Sequence, residues 1–148
     1  MNYITKRLFA VAFVVSISLA SIMPYTQAGQ ESVSSVEENV AQLLSTRKCP
    51  GCDLHGANLK GAQLENADLK GANLSGADLM NAELSSADLS NADLTNANLE
   101  ASVLSNANLN GAKLDGARVI NAGFISVRGL TPEQKDDLRK REAIVIDD

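Results

Sequence analysis

A chain of 148 residues with 45% apolar composition has the size of one domain and too much apolar surface to be read as disordered. With no Trp, two Tyr and three Phe, its core has to be narrow and aliphatic. The net charge of −5 argues against binding a phosphate backbone.

At the start of the chain, Lys6 and Arg7 precede an apolar run from Leu8 to Met23, and the small residues Thr26 and Ala28 stand before Gly29. This pattern reads as a secretory signal peptide over residues 1–28. The apolar run is about 16 residues, short of the ~20 that a spanning helix needs, so export is expected, with no membrane attachment after cleavage. Cleavage after Ala28 would remove Lys6 and Arg7 and take the net charge from −5 to −7.

Residues 29–51 read as a helical segment leading to a cysteine junction. Ser34 stands three residues before Glu37 as a capping box, and Val36, Val40, Leu43 and Leu44 form one helical stripe. The pair Cys49 and Cys52 has the spacing of a disulfide, a redox site or half of a metal site. In an exported chain a structural disulfide is the leading reading. A redox centre needs a strand-to-helix setting that this stretch lacks, and zinc needs more ligands than His55 supplies.

From Cys52 to Ser126 a large apolar residue returns at every fifth position, beginning Leu54, Leu59, Leu64 and ending Leu114, Val119, Phe124. Two residues before each centre stands a small residue, Cys52 first, then mostly Ala. A step of five turns an α-helix through roughly 140° net, which would scatter the leucines around every side. In an unbroken strand the same step would alternate faces. The small residue and the leucine share one side of an extended piece, so the chain has to bend once per unit. Twelve of the fifteen positions two after a centre are Gly or Asn, which tolerate positive φ, and Ser86, Ala101 and Ser126 are the exceptions. Stacked coils of such bent pieces form an all-β solenoid.

The run of A(N/D)Lxx units resembles the pentapeptide repeat family over 75 of the 148 residues, 52–126. The resemblance implies a right-handed quadrilateral β-helix with four units per coil, hence about 3.75 coils and a length of ~18 Å at ~4.8 Å per coil. Ser102, Val103, Val119 and Phe124 depart from the pattern, and a less regular coil is expected there.

Residues 127–148 read as a C-terminal helical cap and tail. Thr131 is the expected N-cap, Pro132 the first helical position and Gln134 the partner of a capping box, with a helix to about Lys140 and an edge strand over Ile144–Ile146. Capping both ends is what an open solenoid requires. Ile120 and Ile125 are expected under this cap.

No residue is assigned a catalytic, cofactor-binding or metal-binding role. His55, the sole histidine, falls on an outward position, and serines along the rod have no other base. Twenty residues apart, Asp53, Asn73, Asp93 and Lys113 would stack in one column, mixing acid with amide and limiting repulsion. The reading is an exported, monomeric, non-enzymatic scaffold for an unidentified protein partner, in a periplasm or thylakoid lumen. The rivals are a DNA-mimicking inhibitor of a nucleic-acid enzyme, as some family members are thought to be, and a CxxC redox or metal-handling protein.

Overall fold

The computed structural model of the protein describes residues 35–147. The expected signal peptide and the Ser34 cap lie outside the described residues. Helix α1 spans Ser35–Thr46. Its Leu43 is fully buried, and Val36 and Val40 pack against the same core. Leu44, expected on that stripe, is instead 52% exposed, because Val36, Val40 and Leu43 form the docking line and Leu44 lies past its edge. Two side-chain amides tie α1 to the coil below it: Asn39 Nδ2 donates to Asp53 O and Gln42 Nε2 to Lys48 O, both at 3.0 Å.

Beyond α1 the chain pairs with itself twenty residues ahead, in parallel, from Lys48↔Asp68 through Asp53↔Asn73 to Asn108↔Arg128. Each coil therefore holds four five-residue units. Three backbone bonds repeat at each step: Leu54 N donates to Asn73 O, Asn73 N to Cys52 O and Gly56 N to Ser75 O, at 2.8 to 2.9 Å. At each corner a short turn closes, as where Ala57 N donates to Leu54 O at 3.1 Å. The residue in the middle of that turn takes positive φ, +62° at Gly56 and 58° at Asn66. Leucine and alanine at the centre and small positions point inward and are buried along the run, with Ala62 alone half-buried.

The pairing extends beyond the fifteen units read from the leucines. Cys49 is fully buried at a centre position, five before Leu54, and Gly51 has the corner φ of +69°. At the other end Val127 is buried where alanine usually stands. The irregularity expected near residue 102 is absent, since Glu83↔Val103 and Val103↔Gly123 keep the register. Ser102 substitutes for alanine without loss because its buried hydroxyl donates to Leu99 O at 2.7 Å.

Ala101 holds a corner at φ 54° with a Cβ and no side-chain amide to compensate. A left-handed residue with a Cβ is strained by roughly 1–2 kcal/mol, part of which glycine returns as chain entropy in the unfolded state. Ala101→Gly is therefore expected to stabilise the fold by about 0.5–1 kcal/mol. Thermal melting checks the sign, since glycine at an ordinary exposed position lowers the midpoint.

Strand β1, Gly123–Ile125, pairs in parallel with β2, Ile144–Ile146, matching Phe124 to Val145. Between them helix α2, Pro132–Lys140, carries a complete capping box. Thr131 N donates to Gln134 Oε1 at 2.9 Å, and Gln134 N donates back to Thr131 Oγ1. Leu138 is its buried residue. Ile120 and Ile125, expected beneath a cap, are 42% and 36% exposed. The reason is that β2 extends the sheet of β1, which leaves Ile125 outward in line with Ile146, while α2 lies over residues 112–116.

Candidate functional site

The outward polar residue before each centre has a local task. Its side-chain oxygen accepts from the backbone N–H two residues on: Asp53 from His55, Asn73 from Ser75, Asp78 from Met80, Asp88 from Ser90 and Asp93 from Thr95, at 2.9 to 3.2 Å. These N–H groups point out of the ladder, and Asp or Asn is short enough to fold back onto them. The column of Gln63, Glu83, Val103 and Gly123 has no such residue, which sets one face apart from the other three.

Along the rod the same side chains join from coil to coil. Asn73 Nδ2 donates to Asp53 Oδ1 at 2.9 Å, Asn98 Nδ2 to Asp78 Oδ1 and Asn108 Nδ2 to Asp88 Oδ1 at 3.0 Å, and Lys113 Nζ to Asp93 Oδ2 at 3.0 Å. The expected columns of acid and amide are thus hydrogen-bonded in pairs, each of these acids to the amide or lysine on the coil after it, while Asp68 and Asp88 stack acid on acid. His55 stays exposed, its Nδ1 3.3 Å from Asp53 Oδ1.

These bonds favour the ionised carboxylates. The backbone N–H of His55 lowers the pKa of Asp53, and the Ser90 hydroxyl followed by its N–H lowers that of Asp88. The Thr95 hydroxyl, its N–H and Lys113 push Asp93 down to about 2 from 3.8. A carboxyl with a depressed folded pKa contributes stability that is present above its unfolded value and lost as pH falls through the folded one. The urea midpoint is therefore expected to hold steady above about pH 5 and to drop between 3.8 and about 2, less steeply in Asp93→Asn. An acid limb unchanged by that substitution would remove Asp93 from the account.

Cys49 and Cys52 occupy the inward centre and the following small position, the pair filled elsewhere by leucine and alanine. The corner bond is the same, Cys52 N donating to Cys49 O at 3.3 Å. The Cα atoms are 5.3 Å apart and the sulfurs are at bonding distance, 1.96 Å. Among the described residues no group of three or more His, Cys, Asp or Glu is placed to hold a metal ion. No described helix is long and apolar enough to cross a membrane.

Sequence reasoning missed a site at the C-terminal end. Arg141 Nη1 donates to Ala117 O at 2.9 Å and Leu114 O at 3.3 Å, and Arg141 Nη2 pairs with Asp137 Oδ2 at 2.6 Å. At Ala117 O the guanidinium takes the place of the N–H that a further coil would offer, as Arg118 N does for Ala97 O. Beside it, a groove of about 630 Å³ separates residues 112–116 from α2. Its only forewarning in the sequence was the basic run Arg139, Lys140, Arg141 at the C-terminal end of the helix.

Backbone ladder and inward side chains together define a β-solenoid of tandem five-residue units, four to a coil. The family model for pentapeptide repeats matches residues 49–85 and 82–119, in eight copies. The chain belongs to the pentapeptide repeat family, and its fold is the right-handed β-helix of that family.

Among solved structures, HetL, a pentapeptide repeat protein involved in heterocyst differentiation regulation from the cyanobacterium Nostoc sp. strain PCC 7120, is 36% identical, with a TM-score of 0.42. That match covers 56% of this chain and 40% of HetL, so the chain spans well under half the length of that protein. A second Nostoc pentapeptide repeat protein is 30% identical over 78% of this chain and 99% of its own, with a TM-score of 0.45. A pentapeptide repeat protein of the Arabidopsis thaliana thylakoid lumen is 32% identical over 67% and 79%, with a TM-score of 0.25. No curated protein matches the chain.

Proposed function

We propose that this pentapeptide repeat protein is an exported, non-enzymatic scaffold that binds another protein, acting as a monomer in a periplasm or thylakoid lumen. The observation that carries the reading is the use of the outward Asp and Asn side chains. They are bonded to the backbone within a unit and to each other between coils, which fixes flat polar faces and leaves those groups engaged in structure. Such faces suit docking, where pre-ordered groups lose little freedom on contact.

In this reading residues 29–51 and 127–148 carry the caps of a repeat body whose fifteen units over 52–126 make about 3.75 coils, with the Cys49 corner opening its first coil. Helix α1 shields the first coil through Leu43, and α2 shields the last through Leu138. Cys49 and Cys52 form a structural disulfide that locks the first corner. A loop this short still gives about 2 kcal/mol by the chain-entropy account, so Cys49→Ser, or reductant, should lower the melting temperature by several degrees.

Protein recovered from its own cells tests the reading. The expected result is a chain beginning at Gly29 in the exported fraction, resistant to thiol labelling and cross-linked to one protein in constant ratio. A cytosolic chain with residues 1–28 intact overturns it, as do freely labelled cysteines for the disulfide.

A further inference from the structure

The last coil leaves part of its β-ladder open in a defined register. On the coil before it, Ala92 O accepts from Lys113 N, Leu94 N donates to Lys113 O and Asn96 N donates to Asp115 O, at 2.9 to 3.0 Å. The equivalent groups twenty residues on are Ala112 O, Leu114 N and Gly116 N. None of these three has a hydrogen-bond partner among the described residues. An open edge of this kind is a template for strand addition.

These groups face the groove of about 630 Å³ whose opposite wall is α2, through Glu133, Asp137 and Leu138. That volume is within the usual range of ligand-binding clefts, roughly 300–1,000 Å³. Arg141 lines the groove too, and its Nε is buried without a partner among the described residues. The charges there are unequally engaged. Lys113 is held by Asp93 and Arg141 by Asp137, while Asp115 and Glu133 have no cationic partner among the described residues.

We propose that this groove receives an extended segment of a partner protein, added parallel to residues 112–116 in the position of a further coil, with a basic side chain over Asp115. In the register of the coil before, the segment residue over Lys113 gives its N–H to Ala112 O and its carbonyl to Leu114 N. The next residue sits over Leu114 and is apolar. The third lies over Asp115, gives its carbonyl to Gly116 N and extends a lysine or arginine toward Asp115 and Glu133. Backbone bonds supply the affinity of such an added strand, and alternate side chains supply its choice. The inference deepens the scaffold reading and rests on it.

The probe is the capped pentapeptide acetyl-Ala-Asn-Leu-Lys-Gly-amide, added to the protein with amide NMR as the readout. The expected result is a shift of the Leu114 and Gly116 amide resonances and their slowed exchange with solvent. Replacing the peptide lysine by glutamate should weaken binding by about tenfold or more, and Asp115→Lys should reverse that preference. Asp115 is exposed and unpaired among the described residues, so the variant should melt like the parent. Resonances of Leu114 and Gly116 that do not move at saturating peptide overturn the proposal. So does equal binding of the lysine and glutamate peptides. A partner cross-linked to another face would leave the scaffold reading standing while this groove fails.

Discussion

Gly129→Ala should lower stability by about 3 kcal/mol, and the melting temperature by about 10 °C or more, the largest loss expected from any glycine substitution in the chain. Two costs meet there. Gly129 has φ +91°, where an L side chain is strained, and a Cβ on it would stand 2.4 Å from both N and Cα of Asn110. Backbone atoms do not give way as a flexible side chain does. The residue before it makes the last rungs of the ladder, with Arg128 N donating to Ala107 O and Leu109 N donating to Arg128 O. Relief of the clash therefore pulls on those bonds and on the path to Thr131 and α2. The control is Gly71→Ala, at φ +67° with open space around its Cβ, where only conformational strain of roughly 1–2 kcal/mol applies. Urea unfolding of the two variants decides the matter, and equal losses would show that close approach to Asn110 contributes nothing.

The repeat was legible because burial in this fold is assigned within each five-residue unit. Leu54, Leu59 and their successors, with the alanines two before them, identify the inward positions without knowledge of distant contacts. The corner was equally plain, since glycine and asparagine recur where φ is positive. The unit centred on Cys49 was hidden because its centre is a cysteine and not a leucine, although the spacings from Cys49 to Leu54 and from Gly51 to Gly56 match the repeat. The task of the Asp and Asn residues was missed for a different reason. Their charge suggests a wetted surface, whereas their bond to the N–H two residues on depends on the direction in which that N–H points. Ile120 and Ile125 were misplaced because nothing in their own units states where α2 crosses. Arg141 belongs to the same class, since its carbonyl partners lie 24 and 27 residues away.

Leu89→Ala should be among the costliest leucine truncations of the core, at about 4–5 kcal/mol. Leu89 is fully buried, and Leu69 and Leu109 occupy its place on the coils on either side. Rungs on both sides fix its coil, Leu69 N donating to Asp88 O and Leu89 N to Asn108 O, each at 2.9 Å. A globular core offsets such a loss by letting neighbours collapse into the void. Here the ladder sets the distance between coils at about 4.8 Å, so Leu69 and Leu109 cannot close over the gap while those bonds persist. Leu114→Ala offers the contrast. Leu114 sits on the last coil, is 6% exposed and borders the open groove, where no further coil holds the opposite side at a fixed spacing and solvent can enter the void. Its truncation should cost about 2–3 kcal/mol, at the lower end of such substitutions. Urea unfolding of both variants measures the difference, and hydrogen exchange should place the added opening of Leu89→Ala in coils on both sides of residue 89. Equal costs would mean that the coils yield as freely in the middle of the rod as at its end, and the rigidity on which the flat outer faces depend would be lost.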